Sequence, residues 1–193
     1  TVYIEVLESK RKVDIIAGGI HPDIAALQSV LQKDKNTDVT VHLAKNLTSV
    51  PKSDLVIFHN PSSNIELWKQ VNGSNTAFLA ILTSDSDASS LNLGLSGQVR
   101  GRTDMVTGAY NSNFSSIRFS AEFEKRIKDF PPLSVPYSKS IKEMGASVFF
   151  QKIGSVVTDK PLLTFFERGE NKGAVLYGDG IWRWKLNEYS RYE

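Results

Sequence analysis

KVDIIAGGIHPDIAALQSVL, residues 12–31, reads as a strand, a tight turn and a helix in immediate succession. Val13 to Ala17 is a short apolar run rich in β-branched residues, closed by Gly18 and Gly19. The helix opens at His21-Pro22-Asp23. Proline suits a first helical turn, where its missing N–H takes nothing from the hydrogen-bond ladder. Ile24, Leu27 and Leu31 then recur at helical spacing, leaving Gln28, Gln32 and Lys33 for the outer face. A strand feeding directly into a helix is the start of a βα crossover, so the later strands are expected to add to a mostly parallel sheet.

Working outward, Val2 to Leu7 alternates as a leading strand would, and Asp38 to Leu43 presents Val39, Val41 and Leu43 on one face. Ser53 to His59 and Thr76 to Leu82 are continuous apolar runs, the pattern of central parallel strands covered on both sides. Between them, Asn64 to Val71 carries Ile65, Trp68 and Val71 on one helical stripe. The pattern loosens from Ala88 to Lys160. There a helix is expected within Ser120–Phe130, stopped by Pro131-Pro132, and an extended arm over Asp129–Tyr137. Regularity returns at Ala146–Ile153, Lys160–Glu167 and Gly173–Tyr177. The last two are joined by a polar link of hairpin length. The chain therefore reads as one α/β domain over residues 1–193 with an irregular insertion at 88–160, parallel at its start and antiparallel near its end.

With 193 residues, 40% hydrophobic and 23% charged, the composition is that of a globular domain. The balance of 23 basic against 21 acidic residues is too even to imply a nucleic-acid partner, for which a clustered basic face is expected. Cysteine is absent, which removes disulfides, thiolate metal sites and cysteine nucleophiles together. No apolar run approaches the roughly 18 residues needed to span a bilayer, so no membrane insertion by this segment is expected. A first residue Thr1 in place of Met suggests a piece of a longer protein.

In open α/β sheets ligands bind beyond the carboxyl ends of the strands. The strand assignments put His21 and Asp23 there after the first strand, His59, Asn60 and Ser62 after the third, Thr83, Ser84, Asp85 and Asp87 after the fourth, and Asp179 after the last. His21, Asp23, His59, Asn60, Ser84, Asp85 and Asp179 form the candidate ligand-binding rim, suited to a small polar ligand. Two histidines and a carboxylate could hold a metal. The favoured alternative is that the Asp and Ser residues cap helices and the histidines lie in solvated turns, and no ligand spacing such as HExxH is present. The expectation is no metal, no cofactor and no catalytic residue. Gly18-Gly19 is not a dinucleotide fingerprint, and Ser84, in TSDSD, lacks the glycines of a nucleophile elbow. The C-terminal run GDGIWRWKLNEYSRY, residues 178–192, offers Trp182, Trp184 and Tyr189 as a candidate interaction surface, against simple packing of the aromatics on the sheet. A helix is expected to begin near Asn187.

KPLLTFFERGENKGAVLYGDGIW, residues 160–182, resembles the end of class I glutamine amidotransferase-like domains, particularly the ThuA-like branch. There a proline-led strand, a glycine-bearing turn and a second strand finish in glycine followed by histidine. Pro161, Gly173, Val175, Tyr177 and Gly178 match, and Asp179 stands where that histidine would be. IIAGGIHPDIAALQSVL and GDGIWRWKL are similar to a domain of large bacterial envelope-associated proteins. The resemblance covers both ends of the chain and implies a flavodoxin-like three-layer α/β/α sandwich. It also implies a place on the extracytoplasmic side of a bacterial envelope, with other domains of the same protein as partners. Amidotransferases carry a cysteine on a strand-to-helix elbow and a later His-x-Glu pair, and this chain has neither. The implied role is a non-catalytic binding or scaffolding module. The alternative is a hydrolase or sugar-modifying enzyme using His21, His59, Asp85 and Asp179.

Overall fold

Every residue from Val13 to Ala17 is buried, as expected of a strand with helices over both faces. This strand, β1 (Arg11–Ala17), leads into α1 (Pro22–Leu31) and β2 (Thr37–Leu43). Then come β3 (Leu55–His59), α2 (Ile65–Gly73), β4 (Ala77–Ile81), a single turn of helix α3 (Ala88–Leu91), β5 (Leu95–Ser96) and β6 (Thr103–Tyr110). The remainder is α4 (Ala121–Arg126), β7 (Leu133–Pro136), β8 (Ser140–Ile141), β9 (Ala146–Ile153), β10 (Val156–Arg168), β11 (Asn171–Leu176) and α5 (Ile181–Tyr192). The computed structural model describes residues 10–116, 118–142, 144–169 and 171–192; the expected strand at Val2–Leu7 lies outside them.

Nine strands form one sheet in the order β2-β1-β3-β4-β11-β10-β9-β6-β7. The pairs β1–β2, β1–β3, β3–β4 and β4–β11 are parallel. Beyond β11 every pairing is antiparallel. The parallel half thus has the flavodoxin-like order, with its switch point between β1 and β3. Because β11 returns as a hairpin from β10, it enters parallel to β4 and carries its C-terminal end to the same rim as those of β1, β3 and β4.

Two cores flank the sheet, which makes the molecule a three-layer sandwich. On one face α2 places Leu67, Trp68 and Val71 against Ile16, Phe58, Phe78, Ala80 and Val175. Trp68 meets Phe78 edge-on at 5.3 Å, and Phe78 meets Phe166 at 5.6 Å, a favoured geometry for aromatic pairs. On the other face Ile15, Ile57, Ile81, Val106 and Leu133 form the core. The stripe Ile24, Leu27 and Leu31 of α1 and Ile181 and Trp184 of α5 pack over it.

Three expectations need correction. The stretch 88–160, read as irregular outside Ala146–Ile153, also supplies β6 and β7 to the main sheet beside the expected β9; polar residues and turns hid their pairing partners, which are remote in sequence. Within the expected arm at Asp129–Tyr137, Leu133–Pro136 is strand β7, at the outer edge of the sheet and paired with β6. The last helix begins at Ile181, not near Asn187. Its two tryptophans had left strand and helix equally open.

Candidate functional site

The switch point brings together the ends of β1 and β3. Gly18 follows β1 and donates its N–H to the His59 carbonyl at 2.9 Å. A Cβ at Gly18 would lie 2.7 Å from Ser63 Oγ and 3.0 Å from Asn60 Cβ, so the turn closes against the β3 loop only because this residue has no side chain. Asn60 takes a left-handed conformation (φ 56°) directly after β3, which asparagine tolerates. Its Oδ1 accepts from Ser62 Oγ at 2.8 Å and Ser86 Oγ at 3.0 Å, tying the β3 and β4 loops together.

His21 is the N-cap of α1, its Nδ1 accepting the Asp23 N–H at 3.2 Å. An imidazole accepting at Nδ1 is the neutral tautomer protonated at Nε2. That Nε2 faces Asp179 Oδ2 at 3.9 Å. The His21 and His59 rings lie 4.6 Å apart, tilted by 34°. His59 is 2% exposed. The expectation that both histidines lie in solvated turns is therefore wrong for His59, because the last residue of a central strand is still covered by the layers above and below it.

Asp23 is fully buried and lies beneath the rim. Its Oδ2 accepts the Gly180 N–H at 2.8 Å and its Oδ1 the Trp182 N–H at 2.9 Å. One carboxylate in the first turn of α1 thus caps the N-terminus of α5. Burial alone would raise its pKa. The neighbouring His59 imidazole, the two N–H donors and the electrostatic influence of the nearby His21 ring outweigh that and hold it below the ordinary carboxylate value. Asp179 is shifted the other way. Burial and the Asp23 charge raise its pKa, against the lowering effects of His21, His59 and the Ser84 N–H.

Above these groups a cavity of about 180 Å³ is lined by Gly18, Gly19, Ile20, His21, His59, Asn60, Thr83, Ser84, Asp85 and Asp179. Six of the seven rim candidates line it, and Asp23 underlies it. The sequence reading missed the backbone of Gly18 to Ile20, although the paired glycines marked the turn; Thr83, placed after the fourth strand, does line the cavity. The loop after β4 is a closed turn: Ser86 N–H donates to the Thr83 carbonyl and Thr83 N–H to Ser86 Oγ, both at 2.9 Å. Neither cavity histidine is hydrogen-bonded to Ser84 Oγ.

The aromatic tail divides. Trp184 stacks on Phe130 at 5.0 Å, and its Nε1–H donates to the Pro131 carbonyl at 2.7 Å. It is packing rather than an open contact surface. Trp182 is partly buried beside the Arg183 guanidinium, while Tyr189 and Leu186 stay exposed on α5.

No family model matches the chain, and no curated protein matches it. Among solved structures it is similar to a glutamine amidotransferase from Thermotoga maritima, with 14% identity over 93% of this chain and 83% of that one and a TM-score of 0.49. A likeness of that degree says nothing about chemistry.

The opposed shifts of the two aspartates make Asp179→Asn informative. At about pH 2, well below the ordinary carboxylate value, both folded and unfolded chains hold the Asp179 proton, so wild type and variant should match. As pH rises through the raised folded value, wild type alone bears the cost of ionising a half-enclosed carboxyl. The variant should show the higher urea midpoint at pH 7, with the difference vanishing in acid. A lower midpoint at pH 7 would contradict this assignment.

Proposed function

We propose that this domain is a non-catalytic binding module of the amidotransferase-like kind, taking a small polar ligand at the β1–β3 rim and serving within a longer protein. The observation that carries the reading is the state of the loop after β4. A glutaminase needs an exposed, activated nucleophile there and free N–H groups to stabilise an oxyanion. Ser84 has no base on its hydroxyl, and its loop is closed by the Thr83–Ser86 hydrogen bonds. Asp85 and Asp179 in the cavity wall would oppose further negative charge. The Pro161–Gly178 pattern supports the ThuA-like branch, and the similarity of both ends to envelope-associated proteins supports an extracytoplasmic module whose partners are neighbouring domains. Among the described residues no helix is long and apolar enough to cross a membrane. The exposed Leu186 and Tyr189 on α5 are the surface offered to such a domain.

The purified chain incubated with L-glutamine should release no ammonia in a saturable manner, and Ser84→Ala should leave the background unchanged. Saturable release abolished by Ser84→Ala would restore the enzyme reading. Binding is tested separately: amide shifts of Gly19, His21, Asn60 and Ser84 should respond to small polar probes such as L-glutamine or D-glucose. Responses confined to the opposite edge of the sheet would place the ligand elsewhere.

A further inference from the structure

His59 Nε2 is buried and has no hydrogen-bond partner, although its ring lines the rim cavity. Asp23 Oδ2 is 3.7 Å from that nitrogen, too far for a hydrogen bond. A polar atom left in this state costs free energy unless something else reaches it. The same Oδ2 lies 3.6 Å from His21 Nδ1. The three residues His21, Asp23 and His59 each offer a ligand atom, all within 4.8 Å of one another.

We propose that His21 Nδ1, His59 Nε2 and Asp23 Oδ2 form a binding site for a divalent transition-metal ion of the zinc or cobalt type. The inference rests on reading the rim as a ligand site and names the ligand. Two imidazoles and one carboxylate are a donor set suited to such ions, with ligand distances of about 2.1 Å. Tetrahedral geometry at that distance needs ligand atoms about 3.4 Å apart. The two measured separations exceed this by only a few tenths of an ångström. The fourth position opens toward the cavity, where water or a small oxygen-bearing ligand can complete the shell.

The surroundings agree with this assignment. His21 already carries its lone pair on Nδ1, so coordination needs no change of tautomer, only release of the weak 3.2 Å bond from the Asp23 N–H. Its Nε2–H then points at Asp179, as ligating histidines commonly hold a carboxylate with the other ring nitrogen. Each Asp23 oxygen accepts one N–H, leaving Oδ2 a second lone pair for the metal. Two helix N-termini converge here and by themselves would repel a cation. Asp23, Asp179 and Asp85 supply three carboxylates against them.

The test is calorimetric titration of the chelator-treated chain with zinc chloride, with cobalt chloride as a spectroscopic probe. One equivalent should bind, and cobalt should give the intense visible bands of a four-coordinate site. His59→Gln should weaken binding at least about 100-fold, and Asp179→Asn about 10-fold, as for lost orienting partners. The separate His42–Asp14 pair, 2.6 Å apart on β2 and β1, is the control, and His42→Ala should leave the affinity unchanged. Imidazole ¹⁵N shifts of the unmutated chain provide a readout independent of any variant's folding: zinc should move His21 Nδ1 and His59 Nε2. No binding, binding insensitive to His59→Gln, or shifts confined to His42 would overturn the proposal. If zinc fails while L-glutamine or D-glucose still shifts the rim amides, the metal assignment alone falls; if neither probe is felt, the binding reading falls with it.

Discussion

Asp23→Ala is expected to lower the unfolding free energy by about 3–4 kcal/mol at neutral pH, on the scale of two hydrogen bonds to a charged group whose donors are left behind. Both lost bonds cross from α1 to α5. Gly180 is buried, so water cannot freely replace the carboxylate there. Against a typical domain stability of about 5–15 kcal/mol, the loss is large. Asp23→Asn keeps one acceptor and should cost less. The sign with pH follows from the lowered pKa. The stabilisation is present in full above the ordinary carboxylate value and is lost as pH falls through the folded one. In strong acid wild type should therefore approach Asp23→Asn, and its margin over Asp23→Ala should narrow without vanishing. Urea denaturation followed by circular dichroism at several pH values measures both effects. A variant as stable as wild type at pH 7 would show that α5 is held by its apolar face alone.

Trp68→Ala should be more damaging still, at about 5 kcal/mol. Large-to-small substitution of a buried tryptophan typically costs about 3–5 kcal/mol, and two further terms apply here. The ring loses its edge contacts with Phe78 and Phe58, and its Nε1–H, which donates to the Leu91 carbonyl at 3.1 Å, leaves that acceptor buried and unpaired. Trp68→Phe keeps most of the packing and loses only the N–H, so it should retain well over half of the lost stability. Equal losses in the two variants would mean that the hydrogen bond, not the ring volume, dominates.

The parallel half of the sheet was legible because its signals are local. Val13–Ala17, Leu55–His59 and Ala77–Ile81 are apolar runs closed by turn residues, and the first two are followed by helix starts that need no distant partner. β6 and β7 were not legible. Thr103–Tyr110 contains Thr103, Asp104, Thr107 and Gly108, and it becomes a strand because β9 and β7 flank it. For the site, chain position located the residues but not their depth. His21 and Asp23 are two apart, yet one lines the cavity and the other lies beneath it. Only the arrival of α5 decides this, and nothing near Asp23 in the sequence announces Gly180. Likewise the burial of His59, on which the metal assignment turns, depends on the layers around β3 and not on the residues beside it.

The bond from Gly180 to Asp23 spans 157 positions, and that separation bears on folding order. A chain made from its N-terminus can form β1, α1 and β3 early, from contacts close in sequence. Asp23 then stands in a half-built sheet as a carboxylate without donors, beside His59, until residues 180–182 emerge. The cavity is therefore assembled by a late-synthesised segment, and a nascent chain halted before β11 would hold every histidine of the site and still lack the site itself. Occupancy of the rim would report completion of the domain.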